Sequence, residues 1–282
     1  MVAAAVAGVL FAGAAVGVPL GLLTRGSHAG PAASATSPIP RPSPTSATLA
    51  QARALYQQAL AATRGSAGFH YVALSTGGTD NQKIVGDAGQ SGGSQVITLN
   101  STYVSEQFTL LLVGGTVFFQ GNAAAVEDQL GVPAARAPAV QGTWVSISSG
   151  NGPYSVVAPG ITVADQATQL PLAPTSTNPL PTATGASASR ILGTVPRQQG
   201  APGGTAHLDI DTGSHLPISY VSTMTLGGVT RTSTITFSAW GTAAAPPAPP
   251  GAVAWSTLGA SRPPGGYGGG GGGQSPSATP QV

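Results

Sequence analysis

The feature that most constrains this chain is the run from Glu106 to Gly131, EQFTLLLVGGTVFFQGNAAAVEDQLG, its densest stretch of large apolar residues. Val104, Phe108, Leu110 and Leu112 share one face of a period-two strand, with Ser105, Gln107 and Thr109 on the other, the pattern of a half-buried strand. Gly114-Gly115 accepts the positive φ angles of a two-residue hairpin, so Thr116 to Gln120 should return antiparallel beside Phe108 to Val113. Asn122 can then cap a short helix whose Val126 and Leu130 lie one turn apart on one face, and Gly131 supplies its stop. The segment specifies a sheet with a helix laid against it and names no reaction.

The flanking sequence extends the same plan. Leu49 to Arg64 is Ala-rich, with Leu49, Ala52, Leu55, Tyr56, Ala59 and Leu60 in a helical stripe, and opens the folded part. Strand patterns follow at Gly68 to Leu74, Gln82 to Asp87 and Gln95 to Tyr103, separated by Gly/Ser/Asn turns, which predicts a meander. Thr143 to Ser148 reads as a strand, Ile161 to Leu170 as a second short helix, and Leu172 to Ala188 as a mobile loop over an opening. The sheet resumes at Arg190 to Val195 and Thr205 to Asp211. A second hairpin, Ile218 to Leu226 and Val229 to Trp240, turns about Gly227-Gly228. On the last strand Thr230, Thr232, Thr234, Thr236 and Ser238 point one way and Val229, Ile235 and Phe237 the other, so one face is wet and one dry. A long antiparallel sheet of this kind must bury its dry face, and the available cover is the three helices; the predicted class is α+β.

Both ends differ in kind. Val2 to Leu23 is apolar without a charge and, at about 1.5 Å per residue, is long enough to span a hydrocarbon core, so residues 1–24 read as a membrane anchor or a signal segment. An uncleaved anchor is favoured because the nearest small-x-small triplet, Ala33-Ser34-Ala35, lies far downstream. Arg25 follows the run and no cation precedes it, the reverse of the positive-inside pattern, which an upstream start would resolve. Residues 25–48 are a Pro/Ser/Ala-rich stalk, 49–242 the folded domain, and 243–282 a Pro/Gly-rich disordered tail in which Val253 to Leu258 could dock.

Composition narrows function. Charged residues make up 6% of the 282, far below the roughly 25% usual in soluble domains, and a net charge of +2 from scattered Arg and one Lys offers nucleic acid no footprint. Without cysteine there is no disulfide, thiolate metal site, Cys nucleophile or Cys-linked lipid. Asp211-Thr212-Gly213-Ser214 matches an aspartic-protease tetrapeptide, but that chemistry needs a second carboxylate and the second Asp-Thr-Gly is missing; a hairpin turn is the better reading. Gly89-Gln90-Ser91-Gly92-Gly93 matches G-x-S-x-G, yet a strand follows where the nucleophile elbow needs a helix. His70, His207 and His215 show no ligand spacing, and Asp209-x-Asp211-x-Gly213 lacks the closing Glu of a calcium loop. No catalytic residue, metal or cofactor is expected.

The order of parts, with SEQFTLLLVGGTVFFQGN, the downstream TWVSI, and AHLDIDTGSHLPISYVSTMTLGG with its D-x-x-x-x-L-P turn before a Thr-rich strand, resembles the LolA-type fold, in particular the LppX/LprG class of cell-envelope lipid-carrier lipoproteins, over about Leu49 to Trp240. The resemblance implies a curved antiparallel sheet, an incomplete β-barrel, closing over helices around an apolar cavity for acyl chains. The class carries a lipobox cysteine that this chain lacks, so the apolar N-terminus would hold it to the membrane. The implied protein is an extracytoplasmic, non-enzymatic carrier whose partners are a lipid or lipoglycan and the membrane. The candidate cavity lining is Val104, Phe108, Leu110, Leu112, Val117, Phe119, Val126, Leu130, Leu208, Ile210, Ile235 and Phe237. By residue type alone the same set reads better as a filled core, which would make the protein a structural or interaction module of the envelope, and only the resemblance brings the cavity reading level with it.

Overall fold

In a computed structural model the described residues are 46–180, 187–197, 203–242 and 246–260. The apolar run at 2–23, most of the stalk and the glycine tail lie outside them. Among the described residues no helix is long and apolar enough to cross a membrane.

Helix α1 (Ser46–Gly65) leads into the meander β1 (Gly68–Gly77), β2 (Asp80–Gly89), β3 (Gly93–Asn100), β4 (Ser105–Val113) and β5 (Thr116–Gly121). Three helices, α2 (Ala123–Leu130), α3 (Ala137–Val140) and, after β6 (Val145–Ile147), α4 (Tyr154–Val157), precede α5 (Val163–Thr168). Then come β7 (Ala173–Leu180), β8 (Ala188–Val195), β9 (Gly204–Asp211), β10 (Pro217–Leu226), β11 (Val229–Ser238) and β12 (Val253–Ala254). All twelve strands form one open, curved sheet in the order β12-β6-β5-β4-β3-β2-β1-β11-β10-β9-β8-β7. Every pairing is antiparallel except β12 on β6, which makes the sheet mixed at that edge.

Both Gly-Gly hairpins form as expected. Gly114 and Gly115 have φ of 58° and 79°, and Gly227 and Gly228 have 59° and 82°, the left-handed pair that matches the twist of flanking strands. Asn122 accepts a hydrogen bond from the Ala125 amide and caps α2, and Thr162 with Asp165 makes a capping box at α5. The β9–β10 connection is a side-chain-stabilised turn, in which Asp211 Oδ1 accepts from the Gly213 and Ser214 amides and the Ser214 hydroxyl.

The sequence expectation of a loop over residues 172–188 is corrected for its first half, because β7 is an edge strand pairing with β8, with Ala173 opposite Thr194 and Leu180 opposite Ala188. Pro174 and Pro179 argue against a central strand but are tolerated at an edge, where a missing N–H costs no ladder bond on the open side. At the other edge, the expected docking of Val253 to Leu258 takes a definite form. Val253 donates to the Trp144 carbonyl at 2.8 Å, Trp255 Nε1 donates to the Leu130 carbonyl at 2.9 Å, and Leu258 is buried.

The register threads one continuous inward row across nine strands: Ile191, Leu208, Tyr220, Ile235, Ala73, Ile84, Ile97, Phe108 and Gly121 stand opposite one another in turn. The outer face carries the threonines of β11, cross-strand pairs such as Thr225 with Thr230, and an Arg190–Asp209 fork at 2.7 and 2.8 Å. In the adjoining inward row Tyr71 lies over Gly86, where an added Cβ would fall 2.5 Å from the ring. Gly86→Ala should therefore lower stability by about 1–3 kcal/mol, the range for overpacking, measured by denaturant unfolding; an unchanged midpoint would show that the Tyr71 ring is free to move.

Candidate ligand site: the inner face and its cover

Two parts of the sheet build the inner face. On β4 and β5, Leu110 stands opposite Phe119 and Leu112 opposite Val117, while Phe108 and Phe119 stack with centroids 5.2 Å apart. Helix α2 presses Val126 and Leu130 onto this patch. On β9 to β11, Leu208, Ile210, Ile235 and Phe237 face the same side, and Phe237 meets Phe69 edge-on at 5.6 Å. Eleven of the twelve residues expected to line a cavity thus sit buried on one continuous surface. Val104 does not. It lies in the turn before β4, where its carbonyl accepts from the Ser101 amide at 2.9 Å, and it is half-exposed. The period-two pattern expected through Val104 stops at Glu106, because β4 begins at Ser105 and Val104 belongs to the turn.

The inward position that Val104 does not extend to is Glu106, which is 7% exposed. Its strand parity with Phe108 made this readable, yet a carboxylate is seldom placed on a dry face. Gln129 Nε2 on α2 donates to Glu106 Oε2 at 2.8 Å, so the helix is tied to the sheet by this contact. Burial pushes the Glu106 pKa up to about 7; the Gln129 hydrogen bond opposes the shift and the neighbouring Asp128 carboxylate adds to it.

Glu106 ends a cross-strand row of a different character. Ala206, Ser222, Ser233, Ser75, Gln82, Leu99 and Glu106 follow one another by register, and Ser75, Ser222 and Ser233 are buried. Ser233 Oγ has no hydrogen-bond partner among the described residues. The inner face therefore grades from a deep apolar row to a small, polar belt nearer one rim.

The cover is assembled from short pieces held by a few polar contacts. Helix α1 lies on β7 and β8 and against α5. Tyr56 of α1 donates to the Leu170 carbonyl and Tyr220 of β10 to the Pro171 carbonyl, both at 2.8 Å, so the segment before β7 is gripped from above and below. The Gly160 carbonyl accepts from Tyr71 Oη at 3.2 Å, from Gln95 Nε2 at 2.7 Å and from Gln166 Nε2. Burial raises both the Tyr71 and the Tyr220 phenols well above their ordinary range, so they act as neutral donors. Of this clamp only Tyr56 stood out in the sequence, as part of the α1 stripe, and nothing local marked the carbonyls that these side chains reach.

An open cleft of about 320 Å³ lies elsewhere, between Gly65–Ala67 at the end of α1, Ser214 and Leu216 of the β9–β10 turn, and Trp240–Gly241. None of the expected lining residues borders it. The tetrapeptide at Asp211 and the G-x-S-x-G at Gly89 both form turns, and no group of three or more metal-ligating side chains occurs among the described residues.

The open, curved sheet with helices on its apolar face is the fold class expected from the sequence. No protein-family model and no curated protein matches the chain. Among solved structures it is similar to LprF from Mycobacterium bovis (17% identity, covering 74% of this chain and 99% of that one, TM-score 0.47). It is also similar to lipoprotein LppX from Mycobacterium tuberculosis (16% identity, 69% and 97% covered, TM-score 0.42) and to hypothetical protein CT021 from Chlamydia trachomatis (11% identity, 70% and 96% covered, TM-score 0.30).

The Glu106 environment has a definite pH consequence. A folded-state pKa raised from 4.5 to about 7 means that between these values the native state holds a proton the unfolded state has lost, so stability falls as pH rises through this window. Glu106→Gln should remove that slope. The gap in thermal midpoint between the variant and the parent should widen, in favour of the variant, from pH 5 to pH 8; parallel pH profiles would show that Glu106 is solvated.

Proposed function

We propose that this chain is an extracytoplasmic, non-enzymatic carrier that takes an acyl chain of a lipid or lipoglycan between the inner face of the sheet and its cover. The observation that carries this reading is the unbroken inward row from Ile191 to Phe108, which gives a long apolar track running across the strands. An acyl chain on that track would gain about 0.8 kcal/mol per buried methylene without any covalent step. The serine belt would receive the ligand's polar linkage, with the orphan Ser233 hydroxyl as donor. The cover joins the long helix α1 on β7 and β8 to short helices over the rest of the sheet, and the short helices, oriented by tyrosine and glutamine contacts to single carbonyls, are the pieces that would part to admit a ligand. The apolar run at Val2 to Leu23 would keep the protein at a membrane.

One observation favours a second reading, a filled-core envelope module. The eleven inward candidates are between 0% and 7% exposed and pack on one another.

Two measurements separate the readings. Organic extraction of the purified protein followed by mass spectrometry should release a lipid in stoichiometric amount, and a clean extract together with failure to load any lipid would end the carrier proposal. Leu208→Phe should leave the unfolding midpoint of lipid-free protein nearly unchanged while cutting lipid uptake if space opens there. A filled core would instead lose about 1–3 kcal/mol with no lipid signal to change.

A further inference from the structure

Three hairpin turns, Gly77–Asp80, 100 to 105 and Gly227-Gly228, and the paired strand ends Val195 and Gly204 lie along one rim of the sheet. At about 4.8 Å per strand these connections stand roughly 10 Å apart. The rim is the one toward which the inner face grades through the serine belt.

Here the apolar inner surface runs out into solvent. Leu226 and Val229 stand opposite one another at the end of β10 and the start of β11, on the same side as Tyr220 and Ile235, yet they are 66% and 47% exposed. Two residues in a two-residue hairpin need no large side chain to make the turn. Tyr103, at the tip two hairpins away, is 78% exposed, and with Leu226 it is one of the two most exposed large apolar side chains among the described residues. Half-exposed Val104 adjoins it.

Both signs of charge occur near this rim, and its cation Lys83 stands on the outer face opposite Leu74 and Thr98. Lys83, three residues past the Gly77–Asp80 turn, and Arg197, just past β8, are exposed and enter none of the ion pairs among the described residues, which are His70–Asp87, Arg190–Asp209 and Arg231–Asp80. Of the carboxylates nearby, Asp80 is matched by Arg231 at 3.3 Å, Glu106 is buried beneath α2, and Asp128 of α2, beside Glu106, is exposed. In a chain with 6% charged residues, a lip of tyrosine, leucine and valine flanked by unmatched cations is a concentrated feature. Its chemistry fits a bilayer surface: tyrosine and aliphatic tips settle at the headgroup level, and each nearby cation is drawn to anionic headgroups.

We infer that this rim is the surface by which the protein docks on a lipid bilayer bearing anionic headgroups, with Leu226, Val229 and Tyr103 entering the interface and Lys83 and Arg197 contacting headgroups. The inference rests on the carrier reading for its purpose, since docking would bring the apolar track into line with the membrane from which a lipid is drawn. It places docking opposite the end that holds the Trp240 cleft.

The absence of cysteine makes the test direct, because any single introduced cysteine is the only labelling site. Full-length Leu226→Cys, Tyr103→Cys and, as an opposite-rim control, Ser214→Cys are each labelled with an environment-sensitive fluorophore and reconstituted into phosphatidylcholine vesicles with and without phosphatidylglycerol. The labels at 226 and 103 should blue-shift and be quenched by a quencher attached to the lipid acyl chain, more strongly with phosphatidylglycerol, while the label at 214 stays solvated. Lys83→Gln with Arg197→Gln should abolish the phosphatidylglycerol-dependent part of the shift. If all three labels report the same solvated environment, or if 226 and 103 become shielded without vesicles as protein concentration rises, docking on a bilayer is overturned, the latter result pointing to a contact between copies. Mass spectrometry of the same preparations separates the two claims: rim insertion with no bound lipid retains docking and removes the carrier, and bound lipid with a solvated rim does the reverse.

Discussion

The structure depends on the fact that the sheet is wettable on one side only. In a pleated sheet the side-chain period is two, so each strand that alternates apolar and polar residues commits one face to burial. Here strands as different as the large-apolar β4 and the threonine-rich β11 agree on which face that is. The row from Ile191 through Tyr220, Ile235 and Ile97 to Phe108 is the result of that agreement. Slipping any strand by one residue would turn its half of the row into solvent, so the register is held by the same burial that it creates.

A sheet this wide presents more apolar surface than one helix can cover, and the chain covers it piecewise. Where a piece approaches closely, the sheet makes room: Gly86 leaves space for the Tyr71 ring, and an added Cβ on Gly93 would collide with the Ile161 carbonyl. Where a piece must be held, a buried polar side chain reaches a single carbonyl, as Tyr56 and Tyr220 do at Leu170 and Pro171 and as Gln95 does at Gly160. Such contacts are oriented and specific, and each adds only about 1 kcal/mol net. These contacts orient the cover, while burial of Val126, Leu130, Ile161 and Leu170 supplies most of what fastens it. The Glu106 contact to Gln129 belongs to the same scheme, with the difference that its strength depends on protonation.

The inner face and the rim are parts of one gradient. Depth along the strands takes the surface from aromatic and aliphatic packing, through the belt at Ser75, Ser222 and Ser233, to the exposed pair Leu226 and Val229. The outer face carries threonines together with the paired charges His70–Asp87 and Arg190–Asp209.

The two Gly-Gly hairpins, the Asn122 cap, the α1 stripe and the wet and dry faces of β11 were all legible in the sequence. Each is set by φ preference or by a period of two or 3.6 within about ten residues. So was most of the candidate site, because parity along a strand determines which residues face inward together. Tertiary structure alone decided the rest. It made an edge strand of the proline-bearing 173–180 segment, since β8 offered an unpaired ladder, and it ended β4 short of Val104 through the turn at Ser101. It buried Glu106 beneath a helix whose Gln129 could answer it, and it brought the tail back to pair with β6. These outcomes depend on partners tens of residues away, and a local pattern of side chains carries no information about which distant donor or unpaired edge will be within reach.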